Sequence, residues 1–180
     1  MSHPGHPKDL APAGAEAPAA RVAILGAGNL LLRDDGVGIH AVRALQANPP
    51  PGVLVCEVGT AALAALDILE QSEAVVIVDA MAAGGKPGTI YRYDVLPDDP
   101  CGAHGGASLH DLNLIGVLRF IPEERRPRIA VVGVEPAELD CGLELSVAVA
   151  AALPEVVACA RRVAEELLLA EGEGRLDETA

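Results

Sequence analysis

The 180-residue chain has no tryptophan, one phenylalanine and two tyrosines. Nucleic-acid surfaces built on stacked aromatic platforms are therefore excluded. Basic residues are scarce as well, with 13 Lys and Arg against 26 Asp and Glu and a formal charge of −13. Phosphate binding relies on Lys and Arg displacing counterions, so no nucleic-acid partner is expected. No apolar run reaches the ~20 residues that span a bilayer, and no membrane association is expected. The N-terminus lacks a basic stretch followed by an apolar one, so secretion is not signalled. The four cysteines, Cys56, Cys101, Cys141 and Cys159, form no CxxC pair and no zinc spacing. They read as reduced thiols of a cytoplasmic protein.

What is present is aliphatic. Half of the chain (51%) is apolar, carried by Ala, Val, Leu and Ile. Residues 1–20, rich in Pro, Ala, Gly and His without periodicity, read as a disordered tail holding His3 and His6, and residues 171–180 as a second loose end. Between them, 21–170 reads as one domain of alternating strands and helices. The expected strands are Val22–Gly26, Val53–Val58, Ala74–Asp79, Thr89–Val95 and Arg128–Val134. The expected helices run from Gly36 to about Ala47, over Ala61–Glu70 and near Leu109–Phe120. A long final helix is expected to be kinked or split at Pro154. This alternation predicts an α/β domain, a twisted, mostly parallel sheet with helices on both faces.

In such sheets ligands bind beyond the carboxyl ends of the strands. Those ends carry acids here: Asp34 and Asp35 after the first strand, Glu57 on the second, Asp79 on the third and Glu135 after the last. Any one of them can be a turn or cap residue, but several sharing a rim with a histidine point to metal or acid–base chemistry. Gly26-Ala27-Gly28 suggests a dinucleotide loop, with Glu57 as its ribose acid, yet Leu31 stands where the third glycine belongs and lengthens the loop. Ser108-Leu109-His110-Asp111 fits a capping box with Asp111 as cap. It places His110 in a first helical turn, where the macrodipole favours the neutral, metal-binding imidazole. His40, inside a helix, reads as structural, and His104 lies in a Gly-rich loop. Two Asp and one His form an oxygen–nitrogen donor set suited to nickel, zinc or iron. No G-x-S-x-G elbow, H-E-x-x-H pair or P-loop is present.

The run Ile24-Leu25-Gly26-Ala27-Gly28-Asn29-Leu30-Leu31-Leu32-Arg33-Asp34-Asp35-Gly36-Val37-Gly38 resembles the opening motif of the hydrogenase maturation proteases. Val76-Ile77-Val78-Asp79-Ala80, Gly84-Gly85-Lys86-Pro87-Gly88-Thr89, Ser108-Leu109-His110-Asp111-Leu112 and Val132-Gly133-Val134-Glu135-Pro136 resemble later motifs of that family in the same order. The resemblance covers roughly residues 21–168. It implies an endopeptidase that removes the C-terminal extension of a nickel–iron hydrogenase large-subunit precursor after nickel insertion. Asp35, Asp79 and His110 carry over as metal contacts, with Asp35 and Asp79 also as candidate proton acceptors. Asp34 competes with Asp35 for its place. Nickel is expected to arrive with the precursor rather than reside in the chain, which is expected to act as a monomer. A non-catalytic nickel-sensing chaperone and a nucleotide-dependent oxidoreductase are the rival readings.

Overall fold

The computed structural model describes residues 21–95 and 116–177, with the backbone alone for 171–177. Five strands are formed: β1 (Val22–Ala27), β2 (Val53–Gly59), β3 (Ala74–Ala80), β4 (Ile90–Val95) and β5 (Arg128–Val134). They lie in one sheet in the order β2-β1-β3-β5-β4. All neighbours are parallel except β4, which runs antiparallel to β5 at the edge. The expected single α/β domain with a mostly parallel sheet is what forms.

The apolar runs become central strands because both sheet faces are covered. Val22 and Ile24 of β1, Val76 and Val78 of β3, and Val132 and Val134 of β5 pack on α1 (Val37–Gln46) and α3 (Val147–Asp177). The alternate residues Ala23, Leu25, Val75, Ile77, Ile129 and Val131 pack on the opposite layer. That layer comprises a short 3-10 turn (Ala62–Ala65), α2 (Leu66–Gln71) and the segment around Val117, Leu118 and Ile121. The period of two along each strand thus feeds two cores rather than one core and water.

Two of the expected elements differ. The final helix is continuous, with Pro154 inside it. Proline removes the N–H that would bond the carbonyl of Ala150, but both residues lie on the solvent face, where water can serve that carbonyl. The buried stripe Val149, Val156, Ala160, Val163, Ala164 and Leu167 holds the helix to the core on either side. Its backbone also stays helical to Asp177, well into the span expected to be loose. The His110 motif, the Gly-rich loop with His104, Cys101 and most of the expected 109–120 helix lie outside the described residues.

Candidate functional site

The sheet order sets the place of the site. From β1 the chain moves outward through α1 to β2, whereas from β3 it moves the other way, toward β4 and β5. The switch point therefore lies between the carboxyl ends of β1 and β3, where the connections part and leave a crevice. Helix α1 begins directly over it. A Cβ on Gly38 would collide with the carbonyl oxygens of Val78 and Ala27, so only glycine permits this approach. Gly38 does for helix–sheet contact what a third glycine does in a dinucleotide loop. The intervening 3-10 turn Arg33–Gly36 is the lengthening that Leu31 foretold.

Gly28 leaves β1 with φ of 120°, a conformation side chains avoid. The carbonyl of Asp35 lies where its Cβ would be, and the Oδ1 of Asp79 comes within 3.5 Å of the same point. Asp35 and Asp79, more than forty positions apart in the chain, are thus set against one glycine at the switch point. The amide of Asn29 donates to Asp35 Oδ2 at 2.9 Å, and the amide of Ala80 donates to Asp79 Oδ1 at 2.8 Å. Each backbone bond fixes the orientation of a carboxylate. Asp79 is fully buried and Asp35 is 8% exposed, so the pair is reached from the Asp35 side.

Asp34 has a different occupation. Its Oδ2 accepts from the amides of Ala137 and Glu138 at 2.8 and 2.9 Å, and its Oδ1 from the amide of Ser146 at 2.7 Å. Burial pushes this carboxyl up, but the Glu138, Ser146 and Ala137 amides with the Ser146 hydroxyl together outweigh it and hold it below its usual range. Ser146 also accepts from the Val149 amide at 3.4 Å, so Asp34 sits at the positive end of α3. Its role is to fasten the 137–146 loop to the first motif. Arg33 reinforces the joint from φ of 46°, pairing with Asp140 at 2.8 Å and Glu138 at 3.3 Å. Its amide donates to the Gly142 carbonyl at 2.9 Å, and the Gly142 amide to the Leu31 carbonyl at 3.0 Å.

The remaining strand-end acids are also employed elsewhere. Glu57 forms a two-pronged pair with Arg43, at 2.9 and 3.0 Å, and that bond lowers its pKa. Glu135 accepts from the amides of Ala83 and Gly84 at 2.9 and 3.2 Å and from the Tyr91 hydroxyl at 2.8 Å. Burial raises its pKa, yet these donors prevail and keep it low. The Gly84–Thr89 motif is therefore a turn folded around Glu135. His40 sits in α1 as expected; burial chiefly, and then Arg43, push its pKa down, while contact with the Leu143 backbone works the other way.

Sequence reasoning assembled the rim but did not separate its members. It missed the clamp made by Asp34, because the amides it binds lie 103, 104 and 112 positions away and no local pattern marks them. Among the described residues no group of three or more His, Cys, Asp and Glu side chains is placed to hold a metal ion. Among them, too, no helix is long and apolar enough to cross a membrane. A pyrophosphate in this crevice would face the carboxylates of Asp35 and Asp79, and Glu57 is already paired, so the arrangement does not suit a dinucleotide.

Comparison with known proteins adds an independent line. The profile of HycI, hydrogenase maturation protease, matches residues 39–163. The hydrogenase expression/formation protein HupD of Rhodobacter capsulatus is 33% identical over 150 residues, covering 79% of this chain and 70% of its own. The nickel–iron hydrogenase maturation protease HybD from Thermococcus kodakarensis superposes with a TM-score of 0.69 at 30% identity, covering 80% of this chain and 99% of its own. The hydrogenase maturating endopeptidase HybD from Escherichia coli gives 0.66 at 28% identity, covering 86% and 93%.

Proposed function

The chain belongs to the hydrogenase maturation protease family and is a peptidase of hydrogenase maturation, and on that premise we propose that it cuts the C-terminal extension from a nickel–iron hydrogenase large-subunit precursor once nickel is in place. In this reading Asp35, Asp79 and His110 contact the nickel that the precursor carries. The metal belongs to the substrate, and the chain inspects it. The observation that carries the reading is the meeting of Asp35 and Asp79 at Gly28, in the crevice where this sheet order places ligands. Two carboxylates held by backbone amides present oxygen donors without rearrangement, which suits a site that completes the coordination of an arriving ion. Asp35, rather than Asp34, is the contact in this reading, because Asp34 is occupied by three amides of the 137–146 segment.

The hydrolytic step needs a water whose proton is accepted as it attacks the scissile carbonyl. Asp35, at the open side of the pair, is the acceptor within reach of a docked peptide, and Asp79 beneath it orients the metal contact. Nickel bound in the precursor supplies charge that favours attack.

Incubation of the purified chain with nickel-loaded and nickel-free precursor, followed by intact mass, tests this reading. A loss of mass confined to the nickel-loaded precursor is expected. Unchanged mass in both samples with stable complex formation would indicate a chaperone, and shortening of both would remove the nickel dependence.

A further inference from the structure

We propose that Leu31, Leu139, Leu143 and Val147 form an apolar crest on which the hydrogenase precursor docks beside Asp35; the assignment rests on the reading of the chain as the protease of that precursor. The four side chains are 64%, 49%, 66% and 89% exposed. They come from two segments far apart in sequence that the fold locks together. Leu31 and Arg33 bracket Gly142 through paired backbone bonds, and Leu32 forms a parallel bridge with the same glycine. Asp34 holds the amides of Glu138 and Ser146, the residues that precede Leu139 and Val147.

In this loop the polar groups are spent on holding the backbone while the leucines face water. Clustered apolar exposure of this kind marks an interaction surface, and a pre-ordered backbone lowers the cost of binding to it. In a chain of formal charge −13, Arg33 offsets one of the two charges of Glu138 and Asp140 and holds both acids to its own side chain, away from the leucines.

The occupant follows from position. The amide of Asp35 donates to the carbonyl of Leu32 at 3.1 Å, so the crest and the carboxylate are parts of one tight turn. A protein that brings its metal site to Asp35 must lie across residues 31–33 and the loop braced against them. A second copy of the chain on this crest would cover the carboxylate rim and shut out substrate. The partner face is therefore an apolar patch of the precursor bordering its metal site.

The test uses the full chain and nickel-loaded precursor, comparing wild type, the double variant Leu31→Glu with Leu143→Glu, and Leu169→Glu as control. Leu169 is 71% exposed, about six turns along α3 from Val147, or ~33 Å at ~1.5 Å per residue. The crest variant is expected to raise KM at least tenfold, with kcat within twofold and an unchanged melting temperature, while the control behaves as wild type. An unchanged KM, an equal rise in the control, or a loss confined to kcat would each overturn the crest. So would light scattering that shows the crest variant splitting a dimer of the chain without a change in KM. If the wild type fails to shorten the precursor, the protease reading falls and the crest falls with it, whereas a wild type that cuts beside an unaffected crest variant sinks the crest alone.

Discussion

Asp34 and Asp35 are consecutive, yet their carboxylates serve opposite sides of the first motif: Asp34 takes the Ser146 amide at 2.7 Å and Asp35 the Asn29 amide at 2.9 Å. One neighbour binds the fold to its last helix and the other faces the crevice. Substitution should separate them. Asp34→Ala leaves the buried Ser146 amide and the part-buried Ala137 and Glu138 amides without their acceptor and should cost about 3 kcal/mol. In a domain of this size that lowers the melting temperature by roughly 10 °C. Asp35→Ala forfeits the Asn29 bond but not the three-amide clamp, so it should cost less stability than Asp34→Ala, and it should abolish processing of nickel-loaded precursor. Thermal melts beside intact-mass assays decide the matter, and a fully active Asp35→Ala would remove it from the site.

Asp79→Asn keeps the shape of the side chain and an oxygen for the Ala80 amide. The fold should melt within a few degrees of wild type, while processing falls at least a hundredfold, about 2.7 kcal/mol in the barrier. Single-turnover assays with saturating precursor measure the step directly. Retention of wild-type turnover would confine Asp79 to a structural role.

Gly28 joins the two acids, and its replacement should injure both stability and function. Gly28→Ala places a methyl on the Asp35 carbonyl in a left-handed conformation, at an expected cost of about 2–4 kcal/mol. Activity should fall further than stability explains, because the carbonyl that must retreat belongs to Asp35. Assaying the variant well below its melting point separates the two effects. Activity equal to wild type at that temperature would show that Asp35 does not need this position.

Glu135 supplies a pH dependence with a definite sign. Its folded pKa is held below the usual 4.5 by the Ala83, Gly84 and Tyr91 donors, despite burial. The stability it contributes is fully present above the unfolded value and is lost as pH falls from about 4.5 through the lower folded value. Glu135→Gln should be less stable than wild type at pH 7, and the gap should narrow toward pH 3. Urea midpoints of both proteins across that range report the difference, and a gap that stays constant would mean that Glu135 ionisation contributes nothing.

Strand positions were legible to within a residue because β1, β3 and β5 are buried on both faces, which writes them as short runs dominated by Val, Ile, Leu and Ala. The shared rim of strand-end acids was legible for a related reason: in a parallel sheet an acid at a strand's carboxyl end must lie on the common rim. What could not be read was the division of labour. Glu57 is withdrawn by Arg43 from a neighbouring helix, and Glu135 by a turn whose amides come into place only when β4 pairs back onto β5. Asp34 and Asp35 differ only in which partners the tertiary fold delivers. At Pro154 the split that local chemistry permits does not occur, because packing on both sides holds the helix in one piece.

The clamp at Asp34 has a temporal consequence. Its acceptor oxygens are made early, and the amides of Ala137 and Ser146 that fill them are made more than a hundred residues later. On a ribosome the first motif therefore emerges with Asp34 unfilled and without its supporting loop. The crevice is finished only after the start of the last helix has cleared the exit tunnel and turned back. A chain cut short before Ser146 leaves Asp34 without its full set of donors, so the joint between the first motif and the last helix closes only when synthesis is nearly complete.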